Sequence, residues 1–174
     1  ELITCTALGV DMMCRLALAT TPGKSPIDLG WHLTSVFGFM GAAATAARVM
    51  GLDEETIVSA IGIGYHQSGG NGQCVKDGAL TKRLGPGFAV RGGITAALLA
   101  RAGVTGAQNS LEGEWGFYRQ YADGDYSREI LVADLGKRFE GANVAIKPYP
   151  CCRGIHPAID AGLALTMEEN IRSR

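Results

Sequence analysis

Between Val36 and Ala47 the chain runs twelve residues with no charged or strongly polar side chain near the middle, and Arg48 ends the run. A bilayer span needs about 20 such residues, so this segment belongs inside a soluble fold. Val36, Met40, Ala43, Ala44 and Ala47 recur at helical spacing. Thr34 or Ser35 is placed to cap the helix, and Gly51 to stop it as the first residue beyond its end. The small residues Gly38, Gly41, Ala42 and Ala46 allow another helix to approach closely.

The same periodicity recurs along the chain. Residues 2–18 read as a helix already in mid-course, with Leu2, Thr6, Gly9, Met13, Leu16 and Ala17 on one stripe. Asp53 caps a helix whose first turn holds Glu54 and Glu55, where the helix dipole favours anions. Its apolar face is Ile57, Ala60, Ile61 and Gly64. Residues 68–84 are glycine-rich and polar, a loop of functional character. Pro86 fits a first helical position, and Gly103 ends that helix after Arg101. Residues 105–124 are irregular, with Trp115, Phe117, Tyr118 and Tyr121 as packing aromatics, and a short helix follows from Ser127 to Gly136. Helix upon helix without alternating strands predicts a mainly α, bundle-like domain over residues 1–140.

After Phe139 the texture changes. Val144-Ala145-Ile146-Lys147 reads as a short strand closed by Pro148 and Pro150, and a helix opens at His156-Pro157 and runs through Leu165. A strand, a turn and a helix predict the start of an α/β domain over residues 141–174. The absence of an initial Met and the mid-helix opening suggest a fragment.

Charge and cysteine content narrow the partners. Sixteen basic residues face seventeen acidic ones, for a net charge of −1, and no block of like charge occurs. Nucleic acid and membrane surfaces are therefore not expected partners. Any bound anion must be held by a few placed cations. Five cysteines, with no regular spacing and no secretory leader, point to a reduced, cytoplasmic setting.

Three stretches carry candidate chemistry. In Gly30-Trp31-His32-Leu33-Thr34-Ser35 the histidine precedes a helix N-terminus, whose positive end favours the neutral ring and suits a general base. The plainer reading is a histidine hydrogen-bonded within the loop, with Trp31 as a packing anchor. In Lys76-Asp77-Gly78-Ala79-Leu80-Thr81-Lys82-Arg83 two adjacent cations lead into a helix N-terminus, a natural site for phosphate or carboxylate. A solvated basic turn is the alternative, and no phosphate-loop motif is present. In Lys147-Pro148-Tyr149-Pro150-Cys151-Cys152-Arg153 the two prolines stiffen the turn that positions Lys147. Cys151 and Cys152 lack the companions a metal centre needs. His156 reads as a cap before Pro157, and His66 as structural.

Taken in order, Gly30–Gly38, Asp77-Gly78 with Thr81–Gly87, Leu111-Glu112-Gly113 with Gly116-Phe117, and Lys147–Cys152 with His156–Asp160 resemble the MmgE/PrpD family. Its members include 2-methylcitrate dehydratase, cis-aconitate decarboxylase and iminodisuccinate epimerase. The resemblance covers nearly the whole chain. It implies a large helical domain and a smaller α/β lid domain, with the active site in the cleft between them. It also implies small di- or tricarboxylate substrates, no metal or organic cofactor, and usually a homodimer. By resemblance His32 matches an active-site histidine, Lys82 a substrate-binding lysine and Lys147 the lid-side lysine. Arg83, Lys76, Cys152 and Arg153 stand beside them as candidate substrate-binding residues. Cys152 replaces a histidine found in some members, and Gly85 the histidine that often follows Thr-Lys-Arg-Leu. An upstream helical segment and most of the lid of the family are absent from this sequence.

The expected function is a lyase, dehydratase or decarboxylase, moving a proton beside a carboxylate. An epimerase of the same family is one alternative. A non-catalytic fragment held together by self-association is another.

Overall fold

Each segment whose apolar residues recur at helical spacing is a helix in the computed structural model, which describes residues 1–20 and 26–168. The chain is mainly helical. Two compact units divide it, Glu1–Ala142 and a second beginning at Asn143.

In the first unit, α1 (Leu2–Leu18), α3 (Glu54–Gln67) and α5 (Thr81–Arg101) pack around α2 (Leu33–Val49), with the one-turn α4 (Gln73–Lys76) ahead of α5. The apolar run of α2 supplies Val36, Phe37, Met40, Ala43 and Ala47, all buried. Its upper half meets Leu16 of α1 and the aromatics of α6 (Phe117–Tyr121). Its lower half meets an alanine layer, Ala60 of α3 with Ala96, Ala97 and Ala100 of α5. Small residues set these distances: a Cβ built on Gly41 would lie 2.5 Å from Met13 Cγ, and one on Gly38 2.8 Å from Ala89 Cβ.

Helix ends follow local chemistry. Asp53 accepts the Thr56 N–H at 2.9 Å, and those hydrogen bonds hold its carboxyl below the usual carboxylate range. α2 ends with Leu52 N–H on Ala47 O at 3.1 Å and Gly51 N–H on Arg48 O at 3.0 Å, with Gly51 at φ 69°. α5 closes in the same way through Gly103 at φ 91°.

The structure corrects several expectations. α5 begins at Thr81, and Pro86 lies inside it. Leu80 caps α5 with no side-chain hydrogen bond, so nothing in the local sequence marks the start. α7 is only Arg128–Val132, with Ser127 as its cap. Trp115 is 75% exposed rather than packed, and His66 is also exposed. On α1 the buried face is Cys5, Gly9, Asp11, Arg15 and Leu16, while Leu2 and Thr6 open onto an apolar groove beside α2 and α5. No strand forms at 144–147. A strand is a paired element, and no described residue pairs with that segment.

Two predictions arise here. Gly93→Ala is expected to destabilise by about 1–3 kcal/mol, because its Cβ would lie 2.4 Å from Ala42 Cβ and 2.6 Å from Ala43 N. Gly87→Ala, on the same helix with open space around it, is expected to stabilise by about 0.5–1 kcal/mol. Urea unfolding of the two variants checks the contrast.

Alkaline pH supplies the other. Burial pushes the Tyr118 and Tyr121 phenols up, with Tyr126 and Glu112 adding to the effect at Tyr118. The unfolded chain releases these protons near the ordinary tyrosine value of about 10, before the folded chain does. Stability is thus full below that pH and falls as pH rises through the range above it. Urea midpoints should drop there, and Tyr118→Phe should flatten the drop.

Candidate active site

Two backbone strips bring His32 to the start of α2. Trp31 and Asn71 form an antiparallel bridge, His32 N–H reaches Gly70 O at 3.1 Å, and Gly72 N–H reaches Gly30 O at 2.6 Å. Gly70 is required twice over: its φ is 112°, and a Cβ would meet Ser35 Cβ at 2.6 Å. Trp31 anchors the turn edge-on against Tyr121, with ring centroids 4.8 Å apart. The cap of α2 is therefore His32, not Thr34 or Ser35. Ser35 is buried, and its hydroxyl lies 2.9 Å from His32 Nδ1.

The first turn of α5 passes over this pair. Thr81, Lys82 and Arg83 are its first three residues, and the turn holds no acidic side chain. Cations at this end oppose the helix dipole. Gly85 allows the approach: a Cβ there would lie 2.4 Å from Ser35 Oγ and 3.2 Å from His32 Nδ1. Any side chain there would have to displace the Ser35 hydroxyl.

His32, Ser35, Lys82, Thr81, Asn71, Cys74 and Gln67 line one cavity of about 290 Å³, with Phe39 and Phe88 as apolar walls. Lys82 is half-buried, and among the described residues no carboxylate lies within ion-pair distance of it. Arg83 and Lys76 are exposed and do not line the cavity. The sequence reading paired His32 with Lys82 but took Ser35 only as a helix cap. Its three-residue spacing from His32, on a helix start, was the available signal. Asn71, Cys74 and Gln67 carried none: Gln67 ends α3, Asn71 follows in the loop and Cys74 lies on the short helix Gln73–Lys76, and only the tertiary packing brings them to His32.

The second unit holds the other candidates. Lys147 Nζ donates to Cys151 O at 3.2 Å, and Cys152 caps a 3₁₀ turn, Arg153–Ile155. Lys147, Cys152 and Arg153 are exposed. Tyr149 donates to Asp160 Oδ1 at 2.5 Å, a bond that pushes its phenol up. His156 is the first residue of α8 (His156–Glu168) rather than a cap before it. It is buried, with its ring against the Tyr149 edge. Among the described residues no group of three or more His, Cys, Asp or Glu is placed to hold a metal ion, and no helix is long and apolar enough to cross a membrane.

The sequence profile of the MmgE/PrpD N-terminal domain matches residues 1–129. The chain belongs to the MmgE/PrpD family. Among its MmgE/PrpD relatives, a cis-aconitate decarboxylase-like protein of Aspergillus oryzae is 33% identical over 145 residues, 80% of this chain and 30% of the relative. The cis-aconitate decarboxylase of Aspergillus terreus is 30% identical over 167 residues, 92% of this chain and 34% of the relative. The human cis-aconitate decarboxylase is 29% identical over 167 residues, 95% of this chain and 34% of that protein. The chain thus spans about a third of the length of these relatives.

Proposed function

We propose that this chain carries part of a cofactor-independent lyase site for a small di- or tricarboxylate, of the decarboxylase or dehydratase type. The observation that supports it is the cavity shared by His32 and the half-buried, carboxylate-free Lys82. Loss of CO₂ from an unsaturated tricarboxylate leaves an electron pair delocalised into a remaining carboxylate. A proton must then reach carbon. Preorganised donors aimed at the developing oxyanion contribute most to such a step. Lys82 supplies the charge, and His32 is the proposed donor of that proton. The names of the relatives favour decarboxylation over the epimerase reading. Lys147, with Cys152 and Arg153, is proposed from resemblance alone as carboxylate-binding.

Trp31 adjoins His32 and pairs with Asn71 of the cavity, so occupancy should change its emission, with exposed Trp115 as background. Titration with citrate and cis-aconitate at fixed ionic strength is expected to give a saturable change that sulfate does not. An equal response to all three, or none, would overturn the reading.

A further inference from the structure

We infer that Ser35 is a positioning residue that keeps the neutral His32 ring protonated on Nε2, so that His32 meets a ligand as a hydrogen-bond donor and not as a base. The inference rests on the carboxylate reading of this cavity only for the ligand. The tautomer itself follows from two independent observations.

The first is the Ser35 hydroxyl. It is buried, and its hydrogen-bond partner among the described residues is His32 Nδ1 at 2.9 Å. If Nδ1 carried the proton, the hydroxyl would accept and its own O–H would have no partner among the described residues, the more costly arrangement. With the hydroxyl donating, Nδ1 offers its lone pair and both groups are satisfied. The second is position. His32 is the N-cap of α2, its carbonyl rather than its ring takes the first helical N–H groups, and its Nδ1 lies beside Ser35 in the first turn, at the positive end of the helix. A lone pair facing that positive end is favoured, and an N–H facing it is not. Gly85 keeps the arrangement compact, since any Cβ there would press on Ser35 Oγ.

Nε2 is then the ring nitrogen left for a ligand in the cavity, and it carries a proton. A neutral imidazole held this way at a helix N-terminus polarises an oxygen without taking a proton from carbon. Beside Lys82, it makes a second donor for a carboxylate or enolate oxygen.

Ring-nitrogen NMR of the 174-residue chain tests this without requiring turnover. Only three histidines contribute, and His32→Gln assigns the signal. At a pH where His32 is neutral, the expected spectrum shows the Nε2–H form alone. Ser35→Ala should add a second, Nδ1–H signal. Gly85→Ala should do the same by displacing the hydroxyl, and should add nothing further in the Ser35→Ala background. An Nδ1–H form in the unmodified chain, or a Ser35→Ala spectrum without a new tautomer, would overturn the inference. Addition of cis-aconitate should move the Nε2–H proton and leave the ring neutral; conversion to the doubly protonated ring would also overturn it. If the Nε2–H form stands and cis-aconitate moves nothing, the tautomer is upheld and the carboxylate reading fails.

Discussion

Lys82→Ala is expected to abolish the saturable tryptophan response to citrate and cis-aconitate while leaving the fold as stable as before, or slightly more so. The two halves of this result come from one placement. Lys82 is the second residue of α5, where the dipole disfavours a cation by about 0.3–1 kcal/mol. Among the described residues no carboxylate lies within ion-pair distance of it. A position that works against its own helix is what a binding site, rather than stability, selects. A hydrogen bond to a charged group contributes about 1.5–3 kcal/mol, roughly a 10- to 150-fold change in affinity. Where turnover is read, loss of one oxyanion donor lowers kcat by about 10²–10³. Urea unfolding run beside the titration separates the effects. Unchanged affinity would remove Lys82 from the site, and a large loss of stability would make its role structural.

The helices were legible because their determinants are local. Asp53 with Glu54 and Glu55, and the glycines at 51 and 103, act within a few residues of themselves. The start of α5 was not, because Leu80 carries no capping group and Pro86 is tolerated inside the helix. A short apolar run such as 144–147 shows strand preference but not its partner, and without one no ladder forms. At the site, the pairing of His32 with Lys82 was readable from motif order. The buried Ser35 hydroxyl on His32 and the exclusion of Arg83 from the cavity depend on how α5 crosses α2. That crossing is set by glycines whose neighbours are distant in sequence.

Distance in sequence also hid the ion pair whose loss should cost the fold most. Asp11 and Arg15 stand four apart on α1, a spacing that on an exposed helix is worth a few tenths of a kcal/mol. In the fold their side chains are only 7% and 3% exposed, with Arg15 Nε on Asp11 Oδ2 at 2.7 Å. What buries them comes from residues 131–140. Arg15 Nη1 donates to Ala133 O at 2.7 Å, its Nη2 donates to Arg138 O at 2.6 Å, and Glu140 N–H donates to Asp11 Oδ1 at 2.6 Å. Arg15→Ala therefore strands a buried carboxylate and carbonyls together, and is expected to destabilise by about 3–5 kcal/mol. Arg15→Lys should recover little, because a point charge cannot span three directions as the planar guanidinium does. Replacing both partners, as Asp11→Leu with Arg15→Met, should recover only the part of the loss due to the stranded carboxylate, since Ala133 O, Arg138 O and the Glu140 N–H still lose their partners. Urea midpoints of the four proteins check the order, and hydrogen exchange of amides 131–140 locates the release. A single Arg15→Ala loss below about 1 kcal/mol, typical of a surface pair, would show that the segment is held by something other than this arginine.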